Sequence, residues 1–318
     1  MAQSGRDVSG MSNSQKHKLD DEHRQWIEND RFGINDKRAL HTRRGELDIQ
    51  DTDIANGFVT GVIRVLGTKE KRYRLKYCYQ KEARNAVLAM YQATMLLRKI
   101  LPWNTSPLIG YAPRRINRDR NLYSDGWKPE EHCLLEGWQY ICERTPTHME
   151  LIPNVVDLHE KEIPSHFHSG WGKFGSPTAW YDGAVAQWFP MHDNWADCFK
   201  EGLRLTIQKE KKIHGEDPVF NHLCREILDR VVDRLLVPME SHGRSVTPTL
   251  VHGNLWDKTV KSRGGRFSAP VLMDATPLLA PYEYEWAPWW SQTNKIDFNY
   301  IDAYLWFSRC KILEPVYE

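Results

Sequence analysis

Three side chains in the C-terminal part of the chain have the types needed for acid–base or electrostatic work. They are His252 and Asn254 in the run Val251-His-Gly-Asn-Leu-Trp256, and Asp274 in Met273-Asp-Ala-Thr. A carboxylate at position 254 would accept a proton from a substrate hydroxyl, whereas the carboxamide of Asn254 cannot. Asn254 is suited instead to positioning and hydrogen bonding, with His252 and Asp274 beside it. His252 reads first as an imidazole bonded to the backbone and second as a proton carrier. Asp274 is a lone carboxylate, which rarely holds magnesium without substrate phosphates or further ligands; its alternative is to brace the loop after a buried strand. Lys76, far upstream, reads by itself as a solvated strand residue. Trp256, Glu283, Trp289 and Trp290 are candidates for contact with a substrate, the last two because an extra indole in Trp286-Ala-Pro-Trp289-Trp290 could roof an apolar pocket. His166 and His168 would share one side of a strand, but two imidazoles alone do not make a metal site. No Gly-x-Ser-x-Gly or Cys/His arrangement supports a hydrolase.

These residues need elements to hold them. Gly57 to Val65 and Tyr73 to Tyr79 read as two strands around the charged turn Gly67-Thr-Lys-Glu-Lys, with Lys76 on the second. Ala83 to Ile100 carries apolar residues at Ala86, Met90, Met95 and Leu96-Leu97, a helical spacing, and Pro102 ends it. His132 to Trp138 reads as a further strand leading to a mostly helical remainder. Phe220 to Glu240 is predicted to be one helix whose stripe Leu223, Ile227, Val231, Leu235 and Leu236 packs a core. Residues 1–20 are polar and are expected to form a disordered tail.

The 318 residues are enough for two lobes around a cleft. Lys+Arg is 43 and Asp+Glu is 42, so the net charge of +1 gives no electrostatic reason to expect nucleic-acid or membrane binding. Six scattered cysteines without a C-x-x-C pair fit reduced thiols. With no apolar leader and no run long enough to cross a bilayer, a cytoplasmic protein is expected.

Three blocks together resemble the fructosamine/ketosamine-3-kinase family, in its fungal type, over roughly residues 54–305. The first is Gly172-Lys-Phe-Gly175 with Pro177-Thr-Ala, Gln187, Trp195 and Phe199. The second runs from Arg230 through Gly243-Arg-Ser to Leu250-Val-His-Gly-Asn-Leu-Trp-Asp257, similar to the family's H-G-D-L-W-x-x-N loop. The third is Met273-Asp-Ala-Thr followed by Tyr282-Glu-Tyr-Glu285. The resemblance implies an α+β, bilobal protein-kinase-like fold of the aminoglycoside-phosphotransferase/ketosamine-kinase type. A small β-rich N-lobe would span 21–139 and a helical C-lobe 140–318. The family pattern continues past the equivalent of Glu318 with further helices.

The same resemblance assigns roles. Lys76 stands where a strand lysine grips nucleotide phosphates, and Met90, with Gln92 nearby, where a helix glutamate would hold that lysine. Asn254 replaces the catalytic aspartate. Thr259, after Asp257-Lys258, replaces the asparagine for a second magnesium. Asp274 retains the metal aspartate and Glu283 is kept, while Leu279 and Pro281 replace a Tyr-x-His sequence. Gly57 and Gly61 do not form a phosphate-covering loop. Losing a general base costs about 10²–10⁴-fold in rate, and these departures converge on one phosphoryl group. The expectation is a repurposed kinase scaffold, without cofactor, whose partner is a small and largely apolar metabolite that it binds or transforms by cyclisation or isomerisation. The alternatives are an active ketosamine 3-kinase using ATP and magnesium, and a silent pseudokinase that binds a protein partner the sequence does not identify.

Overall fold

Along Lys71–Cys78 apolar and basic residues alternate as a strand requires, burying Tyr73 and Leu75. The computed structural model describes residues 54–55, 58–65, 71–78, 82–113, 132–161, 174–182, 185–264 and 269–312. The expected tail 1–20, Gly57, the turn from Gly67, the His166/His168 pair, Gly172-Lys173 and the final residues to Glu318 lie outside these. The chain divides into two compact units. Met1–Gln92, Pro107–Trp138 and Gly183–Ala186 form one; Ala93–Ser106, Gln139–Asp182 and Gln187–Glu318 form the other.

In the first unit, β1 (Ile54–Ala55), β2 (Phe58–Val65), β3 (Lys71–Cys78), β4 (Leu108–Pro113) and β5 (His132–Gly137) make one sheet in the order β1-β2-β3-β5-β4. The strand β4 has no counterpart in the sequence reading. Lys76 on the central β3 faces Thr60 on β2 and Leu134 on β5 in the ladder and is buried. Helix α1 (Ala83–Ile100), whose residues to Gln92 belong to this unit and from Ala93 to the second, has the expected bounds and buries Ala86, Met90, Met95, Leu96 and Leu97. Its Arg98 donates to the Pro102 and Thr105 carbonyls, closing the helix end in the way basic residues complement a C-terminus.

The second unit contains β6 (Ile141–Cys142), α2 (His148–Glu160), α3 (Trp195–His214), α4 (Pro218–Glu226), α5 (Val232–Leu236), β7 (Thr249–Val251), β8 (Val260–Arg263), β9 (Pro270–Leu272), β10 (Leu278–Ala280) and α6 (Phe298–Ile312). Two small sheets, β7–β10 and β6–β8–β9, thus interrupt what the sequence reading took as a helical remainder. Local signals set the helix starts. Glu150 accepts from the Thr147 N–H at 2.8 Å at the head of α2. At the head of α3, Asn194 accepts from the Asp197 N–H and Glu240 from the Trp195 N–H. Phe174, Trp195, Cys198, Val251, Leu278 and Ala280 form a core cluster beneath β7 and β10.

One expectation is corrected. Residues 220–240 are not a single helix with Leu223, Ile227, Val231 and Leu235 in the core. A π turn, Ile227–Val231, separates α4 from α5, and a 3₁₀ turn, Val237–Glu240, follows. The neighbouring row Cys224, Leu228 and Val232 is buried and Leu236 of the predicted stripe packs half-buried against the core, while Leu223, Ile227, Val231 and Leu235 lie in solvent. Both rows repeat every four residues, so periodicity alone could not tell which faced inward.

Candidate functional site

Strand β7 delivers the chain into the loop 252–259, which runs on into β8; β9 delivers it into the loop 273–277, which runs on into β10. Because β7 pairs antiparallel with β10, Leu278 opposite Val251, and β8 with β9, Val260 opposite Leu272, the two loops are forced alongside one another. The Thr276 N–H donates to the His252 carbonyl at 2.9 Å and the Met273 N–H to the Thr259 carbonyl at 2.9 Å. Gly253 lies between them at φ +77°, and a Cβ there would come within 2.2 Å of the Thr276 carbonyl oxygen. Only glycine fits that turn.

The base of the first loop hangs on Glu285, which is 1% exposed. Its carboxylate accepts from the backbone N–H of His252 at 2.5 Å and of Gly253 at 3.1 Å, with His159 Nε2 at 3.6 Å. His159 Nδ1 in turn meets the Tyr304 hydroxyl on α6 at 2.8 Å. Glu283, the acidic residue singled out from the sequence, is exposed instead. The segment Tyr282–Trp290 is a 3₁₀ helix, and the residue that turns inward is the one four before buried Trp289.

His252 is fully buried, and desolvation holds its imidazole below the usual histidine range despite the nearby Glu285 and Asp274 carboxylates. A neutral, enclosed ring fits the backbone-bonded role; its Nδ1 accepts from the Asn254 N–H at 3.4 Å. Asn254 is half-buried, and its Nδ2 donates to the backbone carbonyl of Asp274 at 3.0 Å. Only the nitrogen of a carboxamide can make that bond, so the geometry fixes which way the amide points. Asp274 has φ +55°, a left-handed conformation uncommon outside glycine and one that clusters at functional sites. Thr259, at the expected position of a second metal ligand, is buried and turned into its own loop. Its hydroxyl donates to the Asn254 carbonyl at 2.5 Å and accepts from the Trp256 N–H at 3.1 Å.

The expected aromatic contacts separate. Trp289 is core scaffold, 1% exposed, with its indole N–H donated to the Leu255 carbonyl at 2.8 Å. Trp290 is 62% exposed and packs edge-on against Phe298. Trp256 is half-buried and carries the Lys258 ammonium 4.9 Å from its ring centroid. A small crevice is lined by Ser176, Trp180, Gln187, Phe189, Thr276, Leu278 and Tyr284. The buried indole N–H of Trp180 there has no hydrogen-bond partner.

The donor set does not suit a cation clamped between the two loops. Asp274 supplies a carboxylate, but the Thr259 oxygen is already committed within its loop. Among the described residues, no group of three His, Cys, Asp or Glu side chains is placed to hold a metal. Nor is any described helix long and apolar enough to cross a membrane.

Two solved structures share this fold over most of the chain. One, assigned as a fructosamine-3-kinase from Haemophilus somnus 129PT, is 16% identical with a TM-score of 0.57, covering 83% of this chain and 76% of that one. The other carries the same assignment from Thermobifida fusca YX-ER1, and is 15% identical with a TM-score of 0.52, covering 86% and 81%. The fold is therefore the bilobal α+β type of the protein-kinase-like phosphotransferases. The fructosamine kinase pattern matches residues 131–289, half of the chain, and the chain belongs to that family. No curated protein matches its sequence.

Proposed function

We propose that this member of the fructosamine kinase family does not carry out efficient phosphoryl transfer, and instead binds or rearranges a small, largely apolar metabolite beside the loops 252–259 and 273–277. The observation that carries this reading is the bond from Asn254 Nδ2 to the Asp274 carbonyl. It makes the side chain at the general-base position a donor in a structural brace, and an amide has no basicity to offer a substrate hydroxyl. The inward-turned Thr259 hydroxyl supports the same reading, since phosphoryl transfer depends on cations to neutralise developing charge. Cyclisation or isomerisation asks for positioning and neutral hydrogen bonds, which Asn254 and Trp256 can supply.

A second reading, an ATP-dependent ketosamine 3-kinase, is favoured by family membership and by the left-handed backbone retained at Asp274. One experiment separates them. The protein is incubated with a ribulosamine and Mg-ATP and followed by phosphorus NMR, with calorimetry of Mg-ATP in parallel. No sugar phosphate and no tight nucleotide binding are expected. Turnover at ordinary enzymatic rates would establish the kinase.

A further inference from the structure

The stripe that the fold leaves in solvent is unusual for an isolated surface. Val219, Leu223, Ile227, Val231 and Leu235 stand one every four residues and are 43–68% exposed. In an unbroken α-helix a four-residue repeat drifts about 40° per step. The wider π turn at Ile227–Val231 rotates less per residue and swings the row back into line. On one side of this row lies the buried row Cys224, Leu228 and Val232. On the other lies a charged margin of Glu226, Arg230 and Arg234, in which Arg230 bonds Glu226 at 2.6 Å.

We infer that this row is the contact face of a homodimer in which the 218–240 segments of two copies lie antiparallel across a two-fold axis at Asp229. Under that axis Leu223 meets Leu235 of the second copy and Ile227 meets Val231, so every large apolar side chain in the centre of the row gains an apolar partner. The charges select the direction. Antiparallel packing sets Glu226 between Arg230 and Arg234 of the second copy and opposes the helix dipoles. Parallel, in-register packing would instead set this charged margin against the Cys224, Leu228 and Val232 flank of the second copy, leaving Glu226 without a cation across the contact. Asp229 does not spoil the axis, because it is two residues from Ile227 and so on the opposite side of the helix. The row exposes roughly 500 Å² per copy, at the upper end for a monomer's largest apolar patch, and two copies together reach about the 1,000 Å² of a specific, modest interface. Self-complementarity of this kind is what a two-fold contact demands.

Sedimentation equilibrium over a concentration series tests this. The expected result is a monomer–dimer equilibrium with a dissociation constant in roughly the micromolar range. Ile227→Lys is expected to weaken it about tenfold or more with an unchanged melting curve, since the residue is exposed in the protomer. Glu226→Arg is expected to weaken it as well, and Arg230→Glu with Arg234→Glu added to that variant is expected to restore it. A monomer at every concentration, as when further chain or another protein covers this face, would overturn the inference. So would a dimer indifferent to Ile227→Lys, or one that the charge exchange fails to restore.

Discussion

Asn254→Asp restores the residue that the resemblance places in an active kinase, and the structure gives the change a definite cost. Asn254 Nδ2 donates to the Asp274 carbonyl across 3.0 Å. A carboxylate would lose that hydrogen bond and set two acceptors face to face in a half-buried place. Losing a neutral hydrogen bond costs about 1 kcal/mol, and stranding the opposed acceptors raises this to about 2–3 kcal/mol. Asn254→Ala loses the bond without the repulsion, so stability should fall in the order wild type, Asn254→Ala, Asn254→Asp. For a chain of this size about 2 kcal/mol corresponds to roughly 4 °C in melting temperature.

The sign of the pH dependence follows from the same contact. The introduced carboxyl can donate to the Asp274 carbonyl only when protonated, which raises its folded pKa above the unfolded value. A raised acid contributes stability that is intact below its unfolded pKa, about 3.9 for aspartate, and lost as pH rises through the folded value. The gap between Asn254→Asp and wild type should therefore widen between pH 5 and pH 8. Thermal melts of the three proteins at both pH values are the assay, with phosphorus NMR on a ribulosamine and Mg-ATP as the activity readout. An Asn254→Asp protein as stable as wild type at pH 8, or more stable than Asn254→Ala, would refute the brace. Rapid phosphorylation by that variant would show that the rest of the kinase apparatus is intact.

Glu285→Ala strands the buried N–H groups of His252 and Gly253 and should cost about 3–5 kcal/mol by urea denaturation, with Glu285→Gln intermediate because its amide keeps one acceptor oxygen; a loss under about 1 kcal/mol for alanine would mean the loop is not suspended from this residue. Gly253→Ala places a Cβ against the Thr276 carbonyl in a left-handed backbone, and a loss of about 3 kcal/mol or more is expected in melting or soluble yield. The Arg144 guanidinium, with help from the Thr147 N–H and hydroxyl, lowers the Glu150 carboxyl from 4.5 to about 2. A depressed acid stabilises above its unfolded pKa, so this contribution is complete above pH 4.5 and lost as pH falls towards 2. The pair is largely solvent-exposed, which limits it to about 1 kcal/mol, and Glu150→Gln should flatten that part of the stability curve.

What the sequence made legible divides along physical lines. Helix α1 could be bounded to the residue because a strong apolar period ran into a proline, and both features act locally. The strands β7 to β10 could not be read, since each is only three or four residues long and completely or alternately buried, too short to show a period. The loop residues His252, Asn254, Thr259 and Asp274 were found because their order along the chain carries a resemblance. Their contacts were not, because the bonds among them depend on two sheets assembled from distant segments. Glu285 was quoted but passed over in favour of Glu283, as two acidic residues separated by one tyrosine give no sign of which a 3₁₀ turn will bury. The 223–235 stripe was read as core for a related reason: a period reports that a face is apolar, and only the rest of the fold decides what covers it.

The substitutions at 254 and 259 are easier to understand together than singly. Each has a polar group to satisfy, Asn254 through the Asp274 carbonyl of the second loop and Thr259 within its own loop. The Trp256 N–H reaches the Thr259 hydroxyl, that hydroxyl reaches the Asn254 carbonyl, the Asn254 amide reaches the Asp274 carbonyl, and the Met273 N–H beside it returns to the Thr259 carbonyl. A chain of donors and acceptors closed in this way rigidifies both loops and holds Asp274 in its left-handed turn, because a fully satisfied network in a partly enclosed place resists rearrangement. An ionised aspartate at 254 would remove the donor of this chain, and an asparagine at 259 would remove its hydroxyl link. On the proposed reading, the hydrogen-bond inventory of these two side chains decides what the loop is built for.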